Sequence, residues 1–293
     1  MGGESLTPDR RPGCAVGVPN VGPFGDPRLL VDLAVAAEEA GWDGFFLWDH
    51  LLWDEPEGHV ADPTVVISAV AARTERIRIA IMVNSLARRR AAKVARETAT
   101  LDGLTAGRLI VGAGLGTLSS EFTAFGESGD PRVRAARLDE SLHLLDALWA
   151  GRPVTFQGEY LTADGVTMLP RPVQRPRIPI WCGGRWPNKR PFRRAARWDG
   201  VMPIHTGYGL GETMQPAELR AVLAYTQEHR TRTGPFDVAL EGRTDGSAAD
   251  RGGQLVASYV RAGLTWWVEA LGWWRGTTAE AMDRVRQGPP VTG

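Results

Sequence analysis

Eight short β-rich runs alternate with eight helical segments along these 293 residues, and that alternation constrains the fold more than any other feature. The runs are Cys14–Pro19, Phe45–Trp48, Ile77–Val83, Leu109–Val111, Ile178–Cys182, Asp199–Met202, Asp237–Glu241 and Thr265–Glu269. In the third, Ile77, Ile79, Ile81 and Val83 alternate with Arg78, Ala80 and Met82, the period of a strand. The segments between them have helical period. Pro27–Ala40 places Leu30, Leu33, Ala34 and Ala37 on one face and stops at Gly41. Asp62-Pro63 and Asp130-Pro131 supply an N-cap and a first-turn proline. Parallel strands need long crossovers, which helices provide, and eight such units close into a barrel of about 250 residues. The expectation is an α/β fold, a (β/α)8 TIM barrel forming one domain over 1–293. A small insertion at 151–176, between the fourth helix and the fifth strand, breaks the rhythm with Pro, Gly and alternating Phe156, Tyr160, Val166 and Met168. An open doubly wound sheet would want Gly-x-Gly-x-x-Gly near the first strand. Here the glycines follow the fourth strand, spaced Gly-x-Gly-x-Gly.

Composition excludes several functions. Lys+Arg and Asp+Glu are 34 each, so no net charge draws the chain to nucleic acid or an anionic membrane. Arg88-Arg89-Arg90, the densest basic run, reads as a solvated helix start. Lysine is confined to Lys93 and Lys189, neither close behind a strand, which disfavours Schiff-base chemistry. Cys14 and Cys182 are too few for a disulfide framework. Met1–Gly13 has no apolar segment of the signal-peptide kind, and no run approaches a membrane span. A soluble cytoplasmic protein is expected.

In such a barrel, chemistry sits where each strand meets its following loop. The stretch Gly107–Phe125 is the most informative of these junctions: Gly112, Gly114 and Gly116 alternate past the fourth strand, then Thr117, Ser119, Ser120 and Glu121 follow. Glycines there free the backbone and let a ligand approach, or simply make a tight turn. Trp48, Asp49 and His50 follow the second strand; His50 can exchange protons near neutral pH, with Asp49 as its possible support. Asn84 and Ser85 follow the third, and Pro203 and His205 the sixth. Gly183-Gly184, read as opening a helix, offers amides to a phosphate, and Arg185 adds charge. Glu241 and Glu269 end the seventh and eighth strands. Eight of the eleven tryptophans (Trp48, Trp53, Trp181, Trp186, Trp266, Trp267, Trp273 and Trp274) fall at or near strand ends, and a ring of them at the mouth would suit a flat aromatic ligand. Asp49, His50, Asp54, Glu55, Glu57, His59 and Asp62 form an acidic cluster with two histidines, read mainly as a solvated loop. A metal-dependent barrel hydrolase, the alternative from another class, would want a ligand pair on the first strand; Ala15–Pro19 has none.

An ordered set of short pieces resembles the bacterial luciferase-like flavin-dependent oxidoreductases, which include flavin monooxygenases and deazaflavin (coenzyme F420) dependent reductases and dehydrogenases. The pieces are Ala37–Asp43 leading into Trp48-Asp49-His50, Asp62-Pro63, Arg96–Asp102, Gly107–Leu109, Gly112-x-Gly114 with Glu121-Phe122 and Gly126, Gly183-Gly184, and Arg194–Gly200. They span Val16 to Met202 in register, with a weaker echo at Gly263–Glu269. The resemblance implies a barrel, usually dimeric, that acts on a small organic molecule and carries F420 or FMN in its mouth. It implies a non-prolyl cis peptide within Ile81–Ser85, so that Val83 and Asn84 lie against the cofactor beside Trp48. It places the phosphate tail on Gly112–Thr117 and Gly183–Arg185, and His50 at a position that contacts ring or substrate. Two departures bear on the reaction. Deazaflavin-dependent sugar dehydrogenases have an acid where this chain has Thr117, and many of the monooxygenases have Glu-His-His where it has Trp48-Asp49-His50. The latter favours the F420 branch slightly over an FMN-dependent monooxygenase.

Overall fold

The structure, a computed structural model, describes residues 11–53, 58–246 and 249–291, without the side chains of 249–251. Eight parallel strands close into a barrel: β1 (Gly13–Val18), β2 (Gly44–Leu47), β3 (Arg78–Ser85), β4 (Leu109–Gly114), β7 (Ile180–Trp186), β8 (Gly200–His205), β9 (Asp237–Gly242) and β10 (Trp266–Ala270), with β10 pairing back onto β1. Among the described residues, eight helices form the outer layer: α1 (Pro27–Glu39), α2 (Pro63–Arg73), α3 (Ala91–Leu104), α5 (Pro131–Trp149), α6 (Lys189–Ala195), α7 (Pro216–Glu228), α8 (Ala249–Val260) and α9 (Thr278–Arg286). The caps expected from Asp-Pro are present: Asp62 accepts from the Val65 amide at 2.9 Å, and Asp130 from the Arg132 amide at 2.8 Å. The segment 151–176 carries an antiparallel hairpin, β5 (Val154–Gln157) with β6 (Thr162–Val166). Sequence period missed the single-turn α4 (Ser120–Thr123) in the loop after β4 and the 3-10 turns at Gly22–Phe24 and Leu86–Arg88.

Side chains alternate across each strand, so the barrel has two cores. Inside, Ala15, Phe46, Ala80, Met82, Ile110, Trp181, Met202, Ala239 and Val268 make a small cluster, with Trp266 and Val83 packed on it. Phe46 meets Trp181 edge-on at 5.8 Å, and Trp181 meets Trp266 at 5.6 Å, so aromatic rings plug the barrel. The larger core lies between strands and helices and includes Leu30, Ile67, Leu142, Trp198 and Trp267.

The fifth barrel strand is longer than its apolar run. Gly183, Gly184 and Arg185 pair in register with Met202, Pro203 and Ile204 of β8, and α6 begins only at Lys189. The reading of Gly183-Gly184 as a helix-opening turn is therefore corrected: both belong to β7. Glycine adds nothing to an apolar pattern, so the strand looked finished at Cys182. Its bare backbone is used for packing instead, since a Cβ on Gly184 would lie 2.7 Å from Cβ of Pro191.

Candidate active site

Trp48, Asp49 and His50 leave β2 at the carboxyl end of the barrel. Asn20, fully buried in the loop after β1, fixes this turn: its amide donates to the His50 and Ala61 carbonyls at 2.8 Å each and accepts from the His50 amide at 3.0 Å. Asp49 does not support His50. Its carboxylate accepts from the Ser85 amide (2.8 Å), from Arg88 (2.7 Å) and from Arg89 (2.8 Å). Neighbours in sequence point apart when the chain is extended, and here the carboxylate turns toward the end of β3. The acid that reaches His50 is Glu121 on α4, with Oε1 3.1 Å from Nδ1. Glu121 also accepts from the Leu51 amide at 2.6 Å and from Arg88 at 3.1 Å.

The result is one connected chain: Arg89, Asp49, Arg88, Glu121, His50. Arg88 is 5% exposed and both carboxylates 1%, so the solvated reading of Arg88 and Arg89 is overturned. A sequence window cannot show that two acids from other loops will meet those arginines. Only Arg90, at the N-cap of α3, is exposed. Burial alone would raise the Glu121 carboxyl, but hydrogen bonds from His50 and Leu51 and the charge of Arg88 outweigh it and hold Glu121 below the usual glutamate range. Glu121 is thus a carboxylate at neutral pH, which makes Nδ1 of His50 the donor toward it. Among the described residues nothing hydrogen-bonds Nε2, the nitrogen left to exchange a proton.

On one side of the mouth the strands are lined with glycine. β3 is irregular between Ile81 and Asn84, and the Met82–Val83 peptide is cis, inside the interval Ile81–Ser85. A Cβ on Gly112 would strike the Ile81 carbonyl, and one on Gly114 would strike the Val83 side chain. Val83 reaches across Gly114 to Gly183, whose Cβ would lie 3.0 Å away, and forms a partly exposed apolar ledge. Asn84 braces the irregularity, donating to the Gly112 carbonyl at 3.1 Å. Gly116 is left-handed (φ 81°), and its turn leaves Thr117 exposed. The hydroxyl of Ser85 beneath it is buried without a hydrogen-bond partner. Arg185 ends exposed at the rim of β7.

On the opposite side the lining is tryptophan. Trp48 stacks on Trp274 at 5.3 Å and 13°, and Trp273 meets Trp48, Trp53 and Trp274 edge-on at 6.3, 5.0 and 4.9 Å. His50 abuts Trp48 and Trp53 at 6.0 and 5.3 Å. The indole N–H of Trp48 donates to Glu241 at 3.2 Å. Burial pushes the Glu241 carboxyl above the usual range, against the pull of that hydrogen bond. Glu269 belongs elsewhere: it is fully buried toward the helices and accepts from Thr244, Trp267 and Arg275. Among the described residues no group of three His, Cys, Asp or Glu is placed to hold a metal, while Asp54, Glu55 and Glu57 of the acidic cluster lie outside the described residues.

A model of the family described as luciferase-like monooxygenase matches residues 10–244. The chain belongs to that family. An F420-dependent glucose-6-phosphate dehydrogenase of Nakamurella multipartita is 37% identical over 163 residues, 55% of this chain and 48% of the relative. One named alike from Kineococcus radiotolerans is 38% identical over 195 residues, 65% of this chain and 57% of the relative. The chain spans about half the length of the curated relatives it matches. Among solved structures, the coenzyme F420 dependent tetrahydromethanopterin reductase of Methanopyrus kandleri superposes with a TM-score of 0.74 over 96% of this chain and 99% of its own, at 16% identity. The FMN-bound oxygenating constituent of 3,6-diketocamphane monooxygenase from Pseudomonas putida superposes with a TM-score of 0.65, at 17% identity, over 86% of this chain and 77% of its own. These two structures show the barrel fold and no more.

Proposed function

We propose that this luciferase-like barrel is an oxidoreductase that binds coenzyme F420 in its mouth and transfers hydride between that cofactor and a small organic substrate. The observation that carries the reading is His50 at the carboxyl end of the barrel, held by an ionised Glu121 through Nδ1, with no hydrogen bond to Nε2 among the described residues. The residues present suit a planar ring with an anionic tail. Val83 and Trp48 offer apolar faces to the ring; Thr117, the backbone around Gly116 and Arg185 offer donors to phosphate. The cofactor, when bound, supplies or accepts the hydride. The chain does the rest. His50 gives or takes the accompanying proton at Nε2, Glu121 orients the imidazole, and Asp49 with Arg88 holds Glu121 and the end of β3 in place. The tryptophans keep water from that side.

The naming of several curated relatives as F420-dependent supports F420 over FMN. A homodimer in the cytoplasm completes the reading; among the described residues no helix is long and apolar enough to cross a membrane. The test is to mix the purified protein in turn with F420 and with FMN and follow fluorescence quenching. Tighter F420 binding is expected. Tighter FMN binding would move the protein to the oxygen-using branch, and binding of neither would sink the proposal. Sedimentation analysis reads the oligomeric state on the same samples.

A further inference from the structure

The eleven tryptophans divide into kinds. Trp42, Trp149, Trp181, Trp198 and Trp267 are buried, at most 4% exposed, and are core. Trp266 closes the barrel interior, and Trp186 carries Lys189 on its face at 3.5 Å. The remaining four, Trp48, Trp53, Trp273 and Trp274, are only half-buried although they pack on one another. A cluster of large aromatic rings that keeps exposed surface at the mouth of a barrel is unusual unless something covers it.

The wall is held in place. Trp48 is fixed by Glu241 through its indole N–H. Trp274 has glycines against its ring: a Cβ on Gly272 or Gly211 would strike it, and Gly211 has φ 77° in the loop after β8. Two loops have therefore been shaped around one indole. Among the described residues, several cations are engaged away from the wall. Lys93 pairs with Glu97 on α3, and Lys189 lies over Trp186. Arg88 and Arg89 are committed to Asp49 and Glu121. Arg243 lines a separate cavity of about 370 Å³ against α9, together with Glu280 and Asp283. A phosphorylated sugar needs a cation to replace the water it loses; Arg275, next to Trp274 in the chain, is taken up by Glu269 and the Thr244 carbonyl, and among the described residues no cation lies over a ring of the wall.

From this we infer that the Trp48–Trp53–Trp273–Trp274 wall selects a flat, uncharged aromatic substrate, in place of the sugar phosphate named for the curated relatives. The inference rests on the hydride-transfer reading for what happens to that substrate, and on the wall alone for what binds. Trp53, which abuts His50, and Trp273, which packs on Trp53, meet the substrate edge and face, and Trp48 with Trp274 forms the backing.

Calorimetric titration with 2-naphthol and with glucose 6-phosphate tests it, using wild type, Trp53→Leu, Trp273→Leu and the milder Trp273→Phe, each checked by circular dichroism. The same samples are titrated with F420. Naphthol should bind the wild type, bind about tenfold more weakly to either Leu variant, and lose less in Trp273→Phe; glucose 6-phosphate should show no saturable heat, and F420 affinity should not change. Naphthol binding without F420 binding would overturn the cofactor reading and leave this inference standing. Glucose 6-phosphate binding as tightly as naphthol, naphthol binding unchanged in both Leu variants, or F420 weakened in step with naphthol would each overturn it.

Discussion

Between β4 and β7 the mouth is lined by glycines, and across the opening, between β10 and β2, by tryptophans. The glycine side is shaped by the protein's own backbone: Gly112 and Gly114 are small because the irregular stretch of β3 passes where their side chains would be. The tryptophan side is shaped by side chains that only half-bury one another. Bare backbone suits a constant partner that must approach closely, whereas projecting rings suit a variable one. His50 stands between the two, joined to Glu121 from the glycine side and packed on Trp48 and Trp53 from the other.

The sharpest way to break that division is at its junction. Replacing His50 with alanine should lower kcat about 10³-fold, with F420 affinity kept, because proton transfer by a positioned group is worth roughly 10²–10⁴. An unchanged kcat would show that His50 only packs. Glu121→Gln keeps the shape and an acceptor oxygen but removes the charge that accepts from His50 Nδ1. We expect kcat to fall about tenfold to a hundredfold with KM and cofactor Kd steady. A matching loss in cofactor Kd would mean that Glu121 shapes the glycine side instead of orienting His50.

Next in size are the glycines. Gly114→Ala should destabilise by about 2 kcal/mol, read as a lower melting temperature, because its Cβ meets the Val83 side chain. Val83→Ala should recover most of that loss in the double variant, since the obstacle is a side chain. Gly112→Ala meets the Ile81 carbonyl, which is backbone, so Val83→Ala should not rescue it. If both glycines tolerate alanine, the close approach of β3 does not explain them.

The sequence made the barrel legible and the site only partly so, for one physical reason. Strand and helix periods are local, and Asp62-Pro63 or Ile77–Val83 reports its element without help from elsewhere. Ion pairs across loops are not local. Asp49 sits beside His50 in the chain, yet Glu121, 71 residues away, holds the imidazole. Arg88 and Arg89 looked solvated because both their partners lie on other loops. The signal that could have found Glu121 was present, an acid inside the glycine-rich stretch after the fourth strand, but an acid in a polar loop has no period to mark it. Gly183 and Gly184 were misplaced for the opposite reason: lacking side chains, they hid the last part of a strand.

The smallest effect tests the tryptophan side through pH. Glu241 has its carboxyl raised by burial, with the Trp48 indole at 3.2 Å pulling the other way. The folded state then holds this proton more tightly than the unfolded state does. Its contribution to stability is fully present below the unfolded value, about 4.3, and is lost as pH rises through the raised folded value. As pH rises from acid, wild type therefore loses the stability that the buried, protonated carboxyl contributes. Glu241→Gln keeps an oxygen to accept from Trp48 and cannot ionise, so it should melt higher than wild type at pH 8. The gap should close toward pH 4, where wild-type Glu241 is protonated as well. A gap that stays constant with pH would assign the difference to packing against Trp48. One that widens toward acid would mean that Trp48 stabilises the carboxylate more than burial opposes it, and the wall would then carry a standing negative charge suited to a cationic ring.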